Sequence, residues 1–313
     1  MTADASDPPV VLVAGGDRVD AGKTTFSTGL VASLAARTGD AVGVKPRTGN
    51  DYWFDHDDYR TATDSGRLYG KDARRLAAAS TRPLATGPES DAPPMATPES
   101  INPLHRLWRP TPDRTGMLGD ADRTFLCDRI ATPAGGGRES RFVVNGAADA
   151  AGLLPDALTD RLPLSDAIRV DDLAALNDAM AADYLPAFDR LSARIAATTV
   201  PVVVESYADV ADPLPRAGAT EPDAVAVVDP GRVRIYAGDR YAKARAVASG
   251  SAREGALEEH TGAVTEMIEP LATATLPALC GDERTDPDRV AKRYESAYAT
   301  LFEAVSGAAR TSQ

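Results

Sequence analysis

The run Val10-Val11-Leu12-Val13-Ala14-Gly15-Gly16, followed by Gly22-Lys23-Thr24-Thr25, constrains the fold of this chain more than any other stretch. A short β-branched apolar run stopped by two glycines predicts a buried strand. From Gly22 the period changes, and Phe26, Leu30 and Leu34 share one helical face until Gly39. Residues 41–45 then predict a second strand, stopped by Pro46. A strand–loop–helix–strand unit favours a parallel sheet, because the helix carries the chain back to the same end.

The loop between that strand and helix has the make-up of an anion cradle. Glycines let backbone N–H groups approach a phosphate, and the helix N-terminus adds its positive end. Lys23 is placed to reach the β- and γ-phosphates, and the Thr24 hydroxyl to hold Mg²⁺. The nucleotide contacts expected are Gly16, Asp17, Ala21, Gly22, Lys23, Thr24 and Thr25. Gly16 lies six residues before Gly22, so the loop is one residue longer than the common G-x-x-x-x-G-K-[ST] pattern. Arg18 stands where ParA/MinD-type ATPases carry a signature lysine, but the glycines of that motif are missing, and Arg18 reads as a solvated loop residue.

A six-residue offset is shared with dethiobiotin synthetases, whose loop reads G-T-D-x-x-V-G-K-T. Further short motifs follow in the same order: Val44-Lys45-Pro46-Arg47-Thr48-Gly49, then Gly70-Lys71-Asp72-Ala73, then a strand ending in Val203-Val204-Glu205. Over roughly residues 10–205 the chain thus resembles the dethiobiotin synthetase and cobyrinate amidase-like, MinD-related branch of P-loop proteins. The resemblance implies Thr24, Asp72 and Glu205 as Mg²⁺ ligands, and Lys45 as a contact to acceptor or γ-phosphate beside Lys23. It implies Mg²⁺–ATP as the nucleotide; no N-K-x-D motif reads a guanine, although GTP is not excluded. Where the family carries glycines after its strand-end Glu, this chain has Ser206-Tyr207-Ala208-Asp209. That departure argues against dethiobiotin synthesis. The expected reaction is phosphoryl transfer to another small anionic acceptor, of carboxylate or carbamate type, or to water. The alternative is a regulatory or assembly ATPase or GTPase whose nucleotide state switches a protein partner. No Cys-His amidase motif accompanies the loop.

Several other segments compete for a role. Asn50 to Tyr59 gathers carboxylates, His56 and aromatics, a set suited to a polar substrate or second metal, or equally to a solvated acidic loop. Asn102 to Pro110 concentrates His105, Arg106, Trp108 and Arg109, and reads first as packed loop, second as an anion clamp. Asn145 and Asp229 end strands and rival Glu205, Asp229 as an alternative metal acid. Leu276-Pro277-Ala278-Leu279 resembles the late loop in which relatives hold adenine.

The whole chain, 1–313, is expected to form a single α/β domain, a doubly wound, mostly parallel sheet, with an irregular Pro-rich insertion at about 80–150. The strongest helical period runs from 171 to 196, with a kink at Pro186. Strands are expected at 124–130, 141–145, 200–204, 224–229, 232–236 and 273–276, and helices at 71–80, 239–249 and 287–305. Net charge is −12, with 33 Asp against 13 Glu and 29 Arg against only 5 Lys, which excludes nonspecific nucleic-acid and anionic-membrane binding and suggests a halophilic habitat. The polar N-terminus, the lack of a spanning apolar run and the two distant cysteines, Cys127 and Cys280, lead to the expectation of a cytoplasmic protein. The expected partners are the nucleotide, the acceptor and at most a second copy in a homodimer. In so lysine-poor a chain, Lys23 and Lys45 fall where a phosphate site needs fixed positive charge.

Overall fold

The computed structural model describes residues 8–16, 22–84, 95–132, 140–214, 221–250 and 259–311. The loop residues Asp17, Arg18 and Ala21 and the Gly135–Gly137 turn lie outside the described residues. The opening unit forms as its sequence implies. Strand β1 (Val10–Gly15) leads to helix α1 (Lys23–Thr38) and then to β2 (Val42–Val44). Helix α1 buries Phe26, Leu30, Val31 and Leu34. Gly29 admits the C-terminal helices, because a Cβ there would meet Val290 and Tyr298 at 2.4 and 2.5 Å.

Beyond β2 the chain is α/β, and each of its sheets combines parallel with antiparallel pairs. Eleven strands are described: β3 (Arg47–Asp51), β4 (Leu104–Thr115), β5 (Ala121–Ala131), β6 (Ser140–Asn145), β7 (Ile168–Val170), β8 (Val202–Glu205), β9 (Ala224–Asp229), β10 (Arg232–Ala237) and β11 (Ala272–Thr275), with β1 and β2. They build two mixed sheets. The first has the order β11-β10-β9-β1-β8-β2, the second β3-β4-β5-β6-β7. In the first, β1 is parallel to β8 and β9 and β2 parallel to β8, while β10 and β11 turn antiparallel at one edge. In the second, the β4–β5 and β5–β6 pairs are antiparallel and the outer pairs parallel.

The expected irregular insertion is therefore corrected. Residues 104–131 form a long hairpin, and with β6 they make the middle of the second sheet. Its prolines disguised it: Pro110 and Pro112 sit where the β4–β5 register slips, between Pro110 and Thr115, a place where a missing N–H costs no ladder bond. One face of this sheet (Trp108, Phe125, Val143, Val170) joins the core of the first sheet. The other face (Leu107, Leu126, Phe142, Val144) packs with Tyr59, Leu68 and Leu158 in a second core.

The 171–196 helix is interrupted, but not simply kinked. A π-helical turn, Met180–Tyr184, separates Leu173–Ala179 from Leu185–Ala196 and absorbs the N–H that Pro186 lacks. The same turn delivers the Tyr184 hydroxyl to Asp128 at 2.5 Å, and Asp128 also accepts two bonds from Arg106 at 2.7 and 2.6 Å. Helix 287–305 likewise divides at Tyr294, into Pro287–Arg293 and Glu295–Thr311. Among the described residues no helix is long and apolar enough to cross a membrane.

Candidate functional site

Register between neighbouring strands assembles the site. Val13 on β1 pairs with Glu205 on β8, and Val44 on β2 pairs with Val204. Glu205 therefore emerges beside the end of β1, and Lys45, one residue past Val44, emerges beside Glu205. All three strands are parallel, so their carboxyl ends open into the same crevice. Helix α1 begins there. Gly22 adopts a left-handed φ of 85°, and no side-chain cap or first-turn acid covers the helix start. Among the described residues, that leaves the first-turn N–H groups of α1 without a capping side chain.

The side chains expected to hold metal and phosphate meet at one carboxylate oxygen. Glu205 is fully buried, and its Oε1 accepts hydrogen bonds from Thr24 Oγ1 at 2.7 Å and from Lys45 Nζ at 2.5 Å. Asp72, in the first turn of α3 (Lys71–Ala79), stands 3.7 Å from the same ammonium. The second Glu205 oxygen, Oε2, is buried without a hydrogen-bond partner among the described residues. Burial pulls Lys45 down, but the charges of Glu205 and Asp72 outweigh it and hold its ammonium above the usual lysine range. Lys23 is shifted the other way, first by burial and then by the positive charge of Lys45. Its Nζ donates to the Ala208 carbonyl at 2.6 Å, and Lys45 Nζ donates to the Ser206 carbonyl at 2.9 Å. Both lysines are thus held on the segment that follows β8. In that segment Ala208 takes a left-handed φ of 46°, a backbone region that favours glycine.

A cavity of about 1370 Å³ lies above these residues. Its floor holds Lys23, Thr24, Thr25, Lys45 and Asp72. One side is closed by Tyr207–Val210, Val228–Gly231 and Leu276–Leu279; the other comes from the second sheet, through Thr48, Asn50 and Arg123. Three of the five lysines line this one cavity, Lys71 being the third. Lys71 pairs with Asp55 at 3.2 Å, and its backbone N–H donates to the buried Asp58 at 2.6 Å. Lys71 was not among the expected site residues, although lysine scarcity and its place next to Asp72 were the available signal. Arg75 and Arg123 carry no comparable signal, because only the tertiary fold brings α3 and the hairpin to the end of the first sheet where α1 begins.

The rival residues fall elsewhere or are occupied. Asp229 lines the cavity but is held by Arg232 and Arg234 at 3.1 and 3.0 Å, and it makes no recorded bond to Thr24. It packs so closely on Gly16 that a Cβ there would lie 1.9 Å from Asp229 Oδ1. Asn145 caps a short helix through the Ala148 N–H and donates to the Phe125 carbonyl, a structural use. Of the 102–110 group, His105 is buried on β4, Arg106 is bound to Asp128, and Arg109 donates to the Leu153 carbonyl. None of these three lines the cavity. The 50–59 segment is tied to itself: Asp51 accepts from the N–H groups of Trp53 and Phe54, Asp55 accepts from Asp51 N–H, and Asn50 donates to Asp58 at 2.9 Å. Only Asn50 and Asp55 of that segment reach the cavity.

Behind the wall, one buried network fixes the backbone of Lys45. Asn102 donates to the Lys45 carbonyl at 2.6 Å, and its own Oδ1 accepts from Arg129 at 2.7 Å and from Thr48 at 3.2 Å. Thr48 Oγ1 also shares a hydrogen bond with His105 Nδ1 at 2.5 Å. Burial, with the charge of Arg129, keeps His105 neutral well below the usual histidine range, and burial pushes Arg129 itself down to about 10.

Hard oxygen donors suit Mg²⁺, and a buried carboxylate with an orphaned oxygen beside a helix-start hydroxyl fits that ion. Among the described residues no group of three His, Cys, Asp or Glu side chains gathers closely enough to hold a metal alone. The chain matches no protein-family model, no curated protein and no solved structure.

Proposed function

We propose that this chain is a P-loop phosphotransferase of the dethiobiotin synthetase and cobyrinate amidase-like type, using Mg²⁺–ATP to phosphorylate a small anionic acceptor or, failing one, water. One observation carries the reading. The Thr24 hydroxyl at the start of α1, the strand-end Glu205 and Lys45 converge on a single oxygen, at the floor of a cavity that Lys23 and Asp72 also line. Ligand sites in open α/β sheets lie at this carboxyl end of the strands.

Each residue has a role that follows from its place. The first-turn N–H groups of α1 and Lys23 bind the triphosphate and offset the charge that builds on the transferred group. Thr24, Glu205 and Asp72 would hold Mg²⁺, which when bound neutralises β- and γ-oxygens. Lys45 steadies the acceptor oxygen against the γ-phosphorus. Lys71 and Arg123, on the wall formed by α3 and the β4–β5 hairpin, give the cavity two cations suited to an anionic acceptor. Leu276–Leu279, at the other side, offers an apolar strip for the base. Guanine in place of adenine is not excluded by this geometry.

The decisive experiment is ATP binding by calorimetry, with Mg²⁺, on wild type and Lys23→Ala. The variant should lose at least about 100-fold in affinity, as removal of a charge-assisted phosphate contact does. Equal affinity in the two proteins would remove the phosphate-loop reading.

A second reading, a switch ATPase or GTPase acting on a protein partner, is favoured by one feature. Trp53 and Phe54 stand 72% and 82% exposed on a turn fixed by Asp51, next to the cavity-lining Asp55. Large aromatics held out in solvent mark interaction surfaces. Turnover that rises with a small carboxylic or carbamic acid supports the transferase; turnover that rises only with a protein supports the switch.

A further inference from the structure

We infer that the Lys45 ammonium is a tethered stand-in for the divalent cation: it occupies Glu205 while nucleotide is absent and yields that carboxylate to the metal only when a triphosphate arrives to receive it. The inference rests on the phosphotransferase reading and deepens it, by giving the order in which the site loads.

Four observations lead there. Lys45 Nζ lies 2.5 Å from Glu205 Oε1 and 3.7 Å from Asp72 Oδ2, while Thr24 Oγ1 donates to the same Oε1 at 2.7 Å. One ammonium thus lies against both carboxylates expected to hold the metal, on the same Glu205 oxygen that the Thr24 hydroxyl reaches. Two cations cannot use Glu205 Oε1 together, because their repulsion in a buried setting is far larger than in water. The orphaned Oε2 shows that the ammonium satisfies the carboxylate only in part, as expected where a cation with more coordination positions also binds.

The chain is built so that the stem alone needs to move. The Lys45 N–H donates to the Ile101 carbonyl at 3.0 Å, and its own carbonyl is held by Asn102 at 2.6 Å. Rotation about the four-methylene stem would carry the ammonium from the Ser206 carbonyl into the cavity that Lys45 lines, with the backbone held in place. Lys23, resting on the Ala208 carbonyl, is released by the same ligand. Without nucleotide both lysines rest on carbonyls of the segment after β8; in the loaded protein Lys23 serves the triphosphate and Lys45 the acceptor oxygen.

Mn²⁺ binding to the full-length protein, followed by the loss of its free-ion paramagnetic resonance signal, tests this without reference to turnover. Wild type, Lys45→Met, Lys45→Gln, Lys71→Met and Glu205→Gln would be titrated without nucleotide and with a non-hydrolysable ATP analogue. Without nucleotide, both Lys45 variants should bind Mn²⁺ at least about tenfold more tightly than wild type. The Lys45→Gln amide keeps a hydrogen bond to Glu205, so it guards against a Lys45→Met chain that folds poorly. In both, Mn²⁺ should also raise the melting temperature more than it does in wild type. Lys71→Met, which removes equal charge from the same cavity without touching Glu205, should shift the affinity by less than about twofold. Glu205→Gln should lose the site with and without the analogue.

Equal Mn²⁺ affinity in wild type and both Lys45 variants, with tight binding once the analogue is added, would overturn the exchange and leave the phosphotransferase reading standing. An equal gain from Lys71→Met would overturn it as well, since a general field rather than occupancy would then be responsible. Absence of Mn²⁺ binding in every variant, even with the analogue, would overturn both.

Discussion

Lys45 lies one residue beyond Val44, which pairs with Val204, so its ammonium meets the Glu205 carboxylate at 2.5 Å along neighbouring parallel strands. The pair is 3% and 0% exposed. Removing one member of such a pair leaves a buried charge without its partner, which costs more than the pair itself contributes.

Glu205→Gln should therefore lower unfolding free energy by about 3 kcal/mol, and the double change Glu205→Gln with Lys45→Met by less than the sum of the two single losses. Urea unfolding of the four proteins gives the cycle. Additive losses would mean that the two groups are not coupled.

Nucleotide affinity should fall as pH rises, and earlier than an ordinary lysine would dictate. Burial and the nearby Lys45 charge hold the Lys23 ammonium below its usual range. Phosphate binding favours the charged form, so binding takes up protons and is strongest below the Lys23 value of the free protein. Calorimetry of the ATP analogue in buffers of different ionisation enthalpy reads the uptake directly. In Lys23→Arg the slope should vanish over pH 7–10, because arginine stays charged there. A pH-independent wild type would contradict the shift.

Stability should have an acid-sensitive component traceable to one histidine. His105 is buried and neutral, shifted down by desolvation and by Arg129. The unfolded chain takes up its proton near pH 6.5 and the folded one only well below that. The stability conferred by neutral His105 is therefore present above about pH 6.5 and declines as pH falls, by at most about 1.4 kcal/mol per unit. Urea unfolding of wild type and His105→Asn at pH 7.5 and 5.5 should show a smaller pH difference in the variant. Identical differences would place the acid sensitivity in the carboxylates instead.

Ala208 should tolerate glycine with a gain. Its φ of 46° lies in the left-handed region, where a Cβ is unfavourable. Ala208→Gly should raise unfolding free energy by about 0.5–1 kcal/mol, less whatever the freer unfolded chain takes back. A thermal melt suffices. A drop in stability would show that the Cβ makes a packing contact worth more than the strain.

The part of the fold that the sequence made legible is the part buried on both faces. Strands β1, β8 and β9 are central and read as continuous apolar runs, and the α1 face carries a clean helical period. What escaped was buried but polar. Strand β3 reads Arg-Thr-Gly-Asn-Asp and carries Thr48 and Asn50 into the wall network, so no alternation of apolar residues marks it. Strand β4 interleaves His105 and Arg106 with prolines, and their partners, Thr48 and Asp128, are remote in sequence. The doubly wound, mostly parallel sheet was expected for the same reason, whereas seven of the eleven described strands belong to that second sheet or to an antiparallel edge. Thr24, Lys45, Asp72 and Glu205 come from short motifs at element ends; strand register sets Lys45 beside Glu205, while Thr24 and Asp72 arrive on helices. Lys71 and Arg123 depend on how α3 and the hairpin lie over the crevice, and no local pattern encodes that.

The single step Lys45–Pro46 is all the chain that separates β2 in the first sheet from β3 in the second. It works as a fixed spacer. The floor that would hold phosphate and metal and the wall that would face the acceptor are set apart by one covalent link of two residues, with Asn102 clamping its carbonyl. Length added to the hairpin, or to the 85–94 connection, changes what the wall offers but not how far it stands from the γ-phosphate. A chain of this plan is free to alter its acceptor by remodelling the second sheet, while the reacting distance is inherited unchanged.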